Sequence, residues 1–147
     1  MSAGGTPAGG GTAPSTTFQW PAAYDSAGAP TPADGHHNPG AGCMITACHA
    51  TTIPFVFGGT VYKADGTSAA ANVQVGISDG TVTLTTYSGA NGNIWLPSSA
   101  AASVNWANAV IALRNKNGER LKPASVGRGS GCNGSGCHGS AMRVLEP

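Results

Sequence analysis

The sequence is poor in charge: Asp, Glu, Lys and Arg make up 9% of 147 residues, and the formal net charge is +1. It has no basic stripe interleaved with aromatics, so a nucleic-acid partner would find no electrostatic footprint. Long apolar runs are absent too, and none approaches the ~18–20 residues that a membrane-spanning helix needs. Aromatics reach only 6%, and much of the 40% hydrophobic content is alanine. The protein core must be modest, and a bulky apolar cofactor would help to fill it. Paired carboxylates and a Ser/His/Asp constellation are also missing. Asp25, Asp34, Asp65 and Asp79 stand in turn contexts, where Asp bonds to its own backbone. No enzymatic activity is expected.

What the chain does have is Gly (23) and Pro (10), together over a fifth of it. That composition favours one turn-rich β domain with irregular flanks over a helical bundle. Residues 1–17 are low-complexity and have nothing to bury, which is the composition of a tether. Phe18, Trp20 and Tyr24 follow as three aromatics that should dock on something. Residues 18–53 otherwise form an irregular, Pro- and Gly-rich arm.

From Pro54 the texture changes. Phe55, Phe57 and Val61 begin a strand-like pattern that the Lys63–Thr67 turn breaks. Val73, Val75 and Ile77 then alternate with polar residues, the period of a half-buried strand. Asp79-Gly80 is a hairpin signal, and Thr81–Tyr87 continues with β-branched and aromatic residues. Asn91-Gly92-Asn93 turns the chain into Ile94-Trp95-Leu96. A last strong strand is expected over Ala109–Asn115, ending at the Asn117-Gly118 turn. Ser98–Asn108 has room for one short helix. The fold expected is mostly β: a single small β-sandwich over 54–123, flanked by irregular arms at 18–53 and 124–147.

The stretch GTVYKADGTSAAANVQVGISDGTVTLTTYSGANGNIWLP resembles the carboxypeptidase regulatory-like, or transthyretin-like, β-sandwich family. A G-x-V strand, a D-G connection leading to a later V, and a late G-N-aromatic strand recur there in this order. The resemblance spans about residues 55–115 and implies a fold, with structural and adhesive roles as the family's usual work.

The chemistry lies in the flanks. Four cysteines form two pairs of identical spacing, each followed at once by histidine: CMITACH at 43–49 and CNGSGCH at 132–138. With four His in the chain, one falls after a given Cys by chance about 3% of the time, and two such placements are about a 0.1% event. The repetition points to c-type haem attachment. Two thiols on one loop add across the vinyl groups of a haem edge, and the adjacent imidazole is carried under the ring to ligate iron. The usual spacing is C-x-x-C-H. Two extra residues here require the loop to bulge, which Asn133-Gly134-Ser135-Gly136 and Thr46-Ala47 permit. The units resemble those multihaem c-type cytochromes that carry C-x4-C-H sites. The resemblance implies two haem c groups, tethered by Cys43 and Cys48 and by Cys132 and Cys137, with His49 and His138 as proximal iron ligands.

Bis-histidine ligation of two haems needs four imidazoles, and the two left over are adjacent: His36-His37. Consecutive side chains of an extended segment point to opposite faces. His36 and His37 are therefore the expected distal ligands of two different haems, whose irons would lie within roughly 10–15 Å because adjacent Cα atoms are ~3.8 Å apart. Either haem of that pair can belong to a neighbouring subunit. Met44 and Met142 are rival distal ligands, both too close in sequence to a proximal side to reach across a ring.

Two plainer readings compete. Small-loop disulfides give no reason for a His after each pair. A shared zinc site would have to fit adjacent Cys-His ligands into a tetrahedron. Trp20, Trp95 and Trp106 are expected to pack against core or haem. Arg114, Arg120, Lys122 and Arg128 are expected as surface charges or as partners for haem propionates.

The expected function is extracytoplasmic electron transfer by a di-haem cytochrome, with redox proteins or extracellular acceptors as partners. With haems near both ends of the chain, subunits are expected to stack as a homo-oligomer or extracellular filament with inter-subunit haem contacts. Covalent haem attachment takes place outside the cytoplasm, yet Met1 is followed by Ser-Ala-Gly-Gly-Thr-Pro, without a basic start or apolar stretch. An exported chain whose leader is absent is the expectation. The alternative is a haem-free cell-surface module with two disulfide loops.

Overall fold

A computed structural model describes residues 17–28, 55–101, 103–122, 130–131 and 143–147. The chain is mostly β and builds two sheets that face each other across one core, a small β-sandwich. The first sheet holds β1 (Phe55–Tyr62) and β4 (Asn93–Pro97), with β7 (Ser130–Gly131) and β8 (Val144–Leu145) alongside β1. The second sheet is ordered β3-β2-β5-β6, from β2 (Gln74–Ser78), β3 (Thr83–Tyr87), β5 (Val110–Asn115) and β6 (Gly118–Leu121).

Alternation sets the core. Val75 and Ile77 of β2, Ile111 and Leu113 of β5, and Ile94 and Leu96 of β4 all point between the sheets and are buried. In β1 the register shifts between Phe55 and Phe57. Val56 and Phe57 therefore both reach the core, as neighbours at a β-bulge do. Burying a large side chain such as Phe57 or Ile77 contributes about 1.5–3 kcal/mol.

The turns follow the chemistry of their residues. Asp79 Oδ1 accepts the amides of Thr81 and Val82, and Gly80 takes the left-handed φ of +92° between β2 and β3. Asp65 does the same for Thr67 and Ser68 after β1. Of the helix expected within Ser98–Asn108, only a single 3-10 turn forms, at Ser98–Ala101. Beyond it Asn105 Oδ1 takes the amide of Ala107, and Asp79 Oδ2 takes that of Asn105. Such local bonds compete with a helical ladder. β6 was not legible in the sequence, because Gly118-Glu119-Arg120-Leu121 has no apolar alternation. It is a charged edge strand paired to β5 through Asn115↔Gly118.

Residues 17–28 lie across the outer face of the second sheet as a strap. Phe18 is 5% exposed and Trp20 packs against it, ring centroids 4.6 Å apart. Both sit on Gly76, where an added Cβ would come within 2.6 Å of the Phe18 ring. The Arg114 guanidinium stacks on Trp20 at 4.2 Å, donates to Gln74 Oε1 (2.7 Å) and to the Ala22 carbonyl (2.6 Å). Trp20 Nε1 donates to Glu119, and Tyr24 Oη to the Asn72 carbonyl. The three aromatics do dock, and Arg114 is committed to holding them.

Candidate functional site

Both Cys-x4-Cys-His units lie outside the described residues. So do Cys43, Cys48, His49, Cys132, Cys137 and His138, the pair His36-His37, and the rivals Met44 and Met142. What the structure describes is the framework from which each unit departs and to which it returns.

The second unit is framed on one strand. β7 runs parallel to β1, with Ser130 opposite Phe57 and Gly131 opposite Gly58. β8 runs parallel to the same strand, with Val144 opposite Val61 and Leu145 opposite Tyr62. Both lie on the edge of β1 away from β4. Val61 gives its N–H to Gly92 and its carbonyl to Ala70 on the β4 side, whereas the Tyr62 carbonyl accepts Glu146 N–H (2.8 Å). β7 and β8 are thus two parts of one parallel strand. Between their anchoring points β1 advances by Gly59 and Thr60 alone, while the second arm spends residues 132–143. Three steps along β1 span about 10 Å. CNGSGCH begins at the residue after Gly131 and ends five residues before Arg143.

The return is also held by side chains. The Arg143 guanidinium lies over the Tyr62 ring at 4.5 Å and donates to the Gly66 carbonyl. Val144 reaches the core. Tyr62 is 6% exposed, and its burial strengthens the cation–π contact.

The first unit is framed differently. It lies between the strap, whose last described residue Gly28 meets the Tyr87 ring, and Phe55 at the start of β1. One anchor is on the second sheet and the other leads into the first.

On the outer face of the first sheet, Trp95 stands directly across from Gly58, which is itself across from Gly131. Thr60 follows on the same face, fully buried, and its hydroxyl donates to Asn93 Oδ1 (2.8 Å). Among the charges considered for haem propionates, Arg114 of β5 is engaged by the strap and Arg128 lies outside the described residues. Sequence reasoning missed Arg143 and the Gly58–Gly131 pair. Glycine inside a strand pattern was the available signal, since it often marks close approach of another chain or ligand. For Arg143 there was none.

Among the described residues no cluster of three or more His, Cys, Asp or Glu side chains comes together to hold a metal ion. Among them, too, no helix is long and apolar enough to cross a membrane. The ionisable groups that depart from ordinary behaviour serve turns and the strap. Ser68 and Thr67 hold the Asp65 carboxyl well below the usual range through hydrogen bonds, and the Val82, Asn105 and Thr81 amides lower Asp79. Burial, then the nearby Tyr87 and Asp25, raises Tyr24. Comparison with protein-family models, curated proteins and solved structures returns no match.

Each sequence unit carries two thiols and an imidazole on one short segment. On either side of the second unit the chain pairs with β1 at points about three residues apart on that strand.

Proposed function

We propose that the chain is a di-haem c-type cytochrome that transfers electrons outside the cytoplasm. Cys43 and Cys48 tether one haem and Cys132 and Cys137 the other, with His49 and His138 as proximal ligands and His36 and His37 as distal ones. The observation that carries the reading is the repeated Cys-x4-Cys-His unit in a chain with four cysteines and four histidines, no more. Bound haem supplies a one-electron couple whose potential the axial ligands and the surrounding shell tune. The β-sandwich is the frame: β1 pairs with Ser130–Gly131 before the second unit and with Val144–Leu145 after it, and the second sheet carries residues 17–28 ahead of the first unit. With a haem at each arm, copies of the chain associate so that electrons pass from one to the next, to redox proteins or extracellular acceptors.

The test is intact mass and a visible spectrum of protein matured in a host that makes cytochromes c. Two covalent haem increments, a Soret band and a reduced α-band are expected. A colourless protein with the mass of the bare polypeptide would reject the reading in favour of a haem-free cell-surface sandwich. Size-exclusion chromatography or electron microscopy of the holoprotein should show assemblies, and monomers alone would reject the stacking of copies.

A further inference from the structure

We infer that Asn117 is a site of spontaneous modification, deamidating to iso-aspartate, and that this change unlatches the β5–β6 hairpin from both arms. The chemistry involves neither haem nor iron. An asparagine side chain reacts when the next main-chain nitrogen can swing onto its Cγ. Glycine in the next position, with no side chain to block the approach, allows that best. The sequence has three Asn-Gly pairs, and one of them, Asn133-Gly134, lies outside the described residues. The fold treats the other two oppositely. Asn117 and Gly118 are exposed at the end of the hairpin that closes through Asn115↔Gly118. Gly118 N–H donates to Asn115 Oδ1 at 3.2 Å, the long end of the usual range. An added Cβ at Gly118 would meet nothing nearer than Pro147, at 4.0 Å, so the tip has room to pucker. At the other pair, Asn91 Oδ1 accepts the Asn93 amide (3.1 Å), and the buried Gly92 donates its N–H to the Gly89 carbonyl (2.9 Å). A Cβ on Gly92 would run into the Val61 carbonyl, so its nitrogen has nowhere to move.

The step balances with water alone. Gly118 N loses its proton and bonds to Asn117 Cγ, and the side-chain nitrogen leaves as ammonia, which closes a five-membered succinimide. Water then opens the ring. Attack at Cγ gives aspartate, whereas attack at the main-chain carbonyl carbon routes the chain through Cγ and gives iso-aspartate. Either product adds a negative charge, and the second adds a carbon to the main chain. The turn cannot absorb that carbon. Asn115 Oδ1 accepts the amides of Asn117 and Gly118, while Asn115 Nδ2 donates to Glu146 Oε2 (3.3 Å) and to Pro147 O (3.2 Å). Next along β6, Glu119 Oε2 accepts Trp20 Nε1 at 2.9 Å. A lengthened tip displaces Asn115 from the end of the second arm and Glu119 from the strap. The new carboxylate also repels that of Glu146.

Peptide mapping by mass spectrometry, after the full chain is kept in warm, mildly alkaline heavy-oxygen water, tests the site. Label should enter at Asn117, mostly as iso-aspartate. Asn91 must wait for local unfolding, so its conversion should be at least about tenfold slower. In urea, where the fold is gone, Asn91 and Asn117 should convert at similar rates. Gly118→Ala, which the space around the tip accommodates, should slow conversion at Asn117 several-fold. Asn117→Gln, whose longer side chain must close a larger ring, should stay unconverted. Converted protein, separated by anion exchange, should show tryptophan emission moved to the red and faster proteolysis near residues 143–147. Asn117→Gln kept under the same conditions should show neither. Asn117 unlabelled in the folded chain yet converted in urea would overturn the site, as would Asn91 reacting as fast as Asn117 in the fold. Converted protein with both readouts unchanged would overturn the unlatching.

Discussion

The outer face of one sheet and the edge of the other hold the two arms by different physics. The second sheet holds residues 17–28 through side chains: Phe18 on the bare backbone of Gly76, Trp20 under Arg114, Tyr24 on the Asn72 carbonyl. The first sheet holds the second arm through main-chain pairing, at Ser130–Gly131 and again at Val144–Leu145. Side-chain docking tolerates wear, because each contact can be lost singly. Strand pairing fixes register, and a slip of one residue would turn Val144 from the core to the outside. Loop length sharpens the contrast. Residues 132–143 separate β7 from β8 in the chain, whereas residues 29–54 separate the strap from β1. Each doubling of a flexible loop costs about 0.6 kcal/mol more to close, so the difference in entropy is small. What separates the arms is how their ends are pinned. The second arm is accordingly the one pinned in register on both sides of its Cys-x4-Cys-His unit.

The largest effect should come from breaking what the two faces share. Phe57 stands at the bulge of β1, 1% exposed, and its ring lies between the sheets. Phe57→Ala should destabilise the sandwich by about 3–5 kcal/mol, the usual cost of emptying a buried aromatic site. Urea unfolding followed by tryptophan fluorescence measures it. Both arms should be released in one transition, and two well-separated transitions would show that the arms are not coupled through this core.

Val144→Ala acts on one side only. It removes two methyl groups from the core at the point where the second arm returns, at a cost of about 2 kcal/mol. Limited proteolysis should then cut near residues 143–147 first, with the strap intact. Early cleavage at the strap instead would mean that the second arm is held mainly by the Arg143–Tyr62 stack and not by β8.

Gly76→Ala is the mirror of that experiment. The new Cβ meets ring atoms of Phe18 and Trp20 at 2.6–2.8 Å, and because these are the far ends of side chains they can shift aside. The expected cost is about 1 kcal/mol, at the low end for overpacking. Trp20 emission should move to the red as the strap lifts, and the pairing of β7 and β8 with β1 should be untouched.

How much of this was legible in the sequence follows the same division. Alternation at Val73, Val75 and Ile77, the Asp79-Gly80 turn and the run Ala109–Asn115 announced the second sheet, because the period of two is written in apolar residues. The aromatics at Phe18, Trp20 and Tyr24 announced the strap as surface in need of a partner, though not that Gly76 would receive it. β7 and β8 were silent. Two residues carry no period, and their strand character comes entirely from the β1 edge beside them. The candidate site was legible as chemistry, from the repeated Cys-x4-Cys-His, and illegible as placement. That Gly131 would lie beside Gly58, and Arg143 over Tyr62, depends on contacts across more than seventy residues of chain.

The smallest effect is electrostatic and again tells the sheets apart. Asp65 serves the loop after β1, next to the Gly66 carbonyl that takes Arg143, whereas Asp79 serves the β2–β3 hairpin and reaches Asn105. Both carboxyls have folded-state values below the ordinary 3.8, since hydrogen bonds from Ser68 and Thr67 in one case, and from the Val82, Asn105 and Thr81 amides in the other, favour the ionised form. A lowered value means that the unfolded chain binds the proton more readily. The stability each carboxylate adds is thus complete above the unfolded value, and drains away as pH falls through the lower folded one. Asp79→Ala should lower the urea midpoint at pH 7, and the gap to the parent protein should close as pH falls below 3.8. Asp65→Ala should show its gap persisting to lower pH, because its carboxyl is held down further. A gap independent of pH in either variant would assign the loss to the shape of the turn, not to its charge. Only the Asp65 variant should also loosen the Arg143 anchor, so proteolysis near residues 143–147 should quicken in it and not in Asp79→Ala.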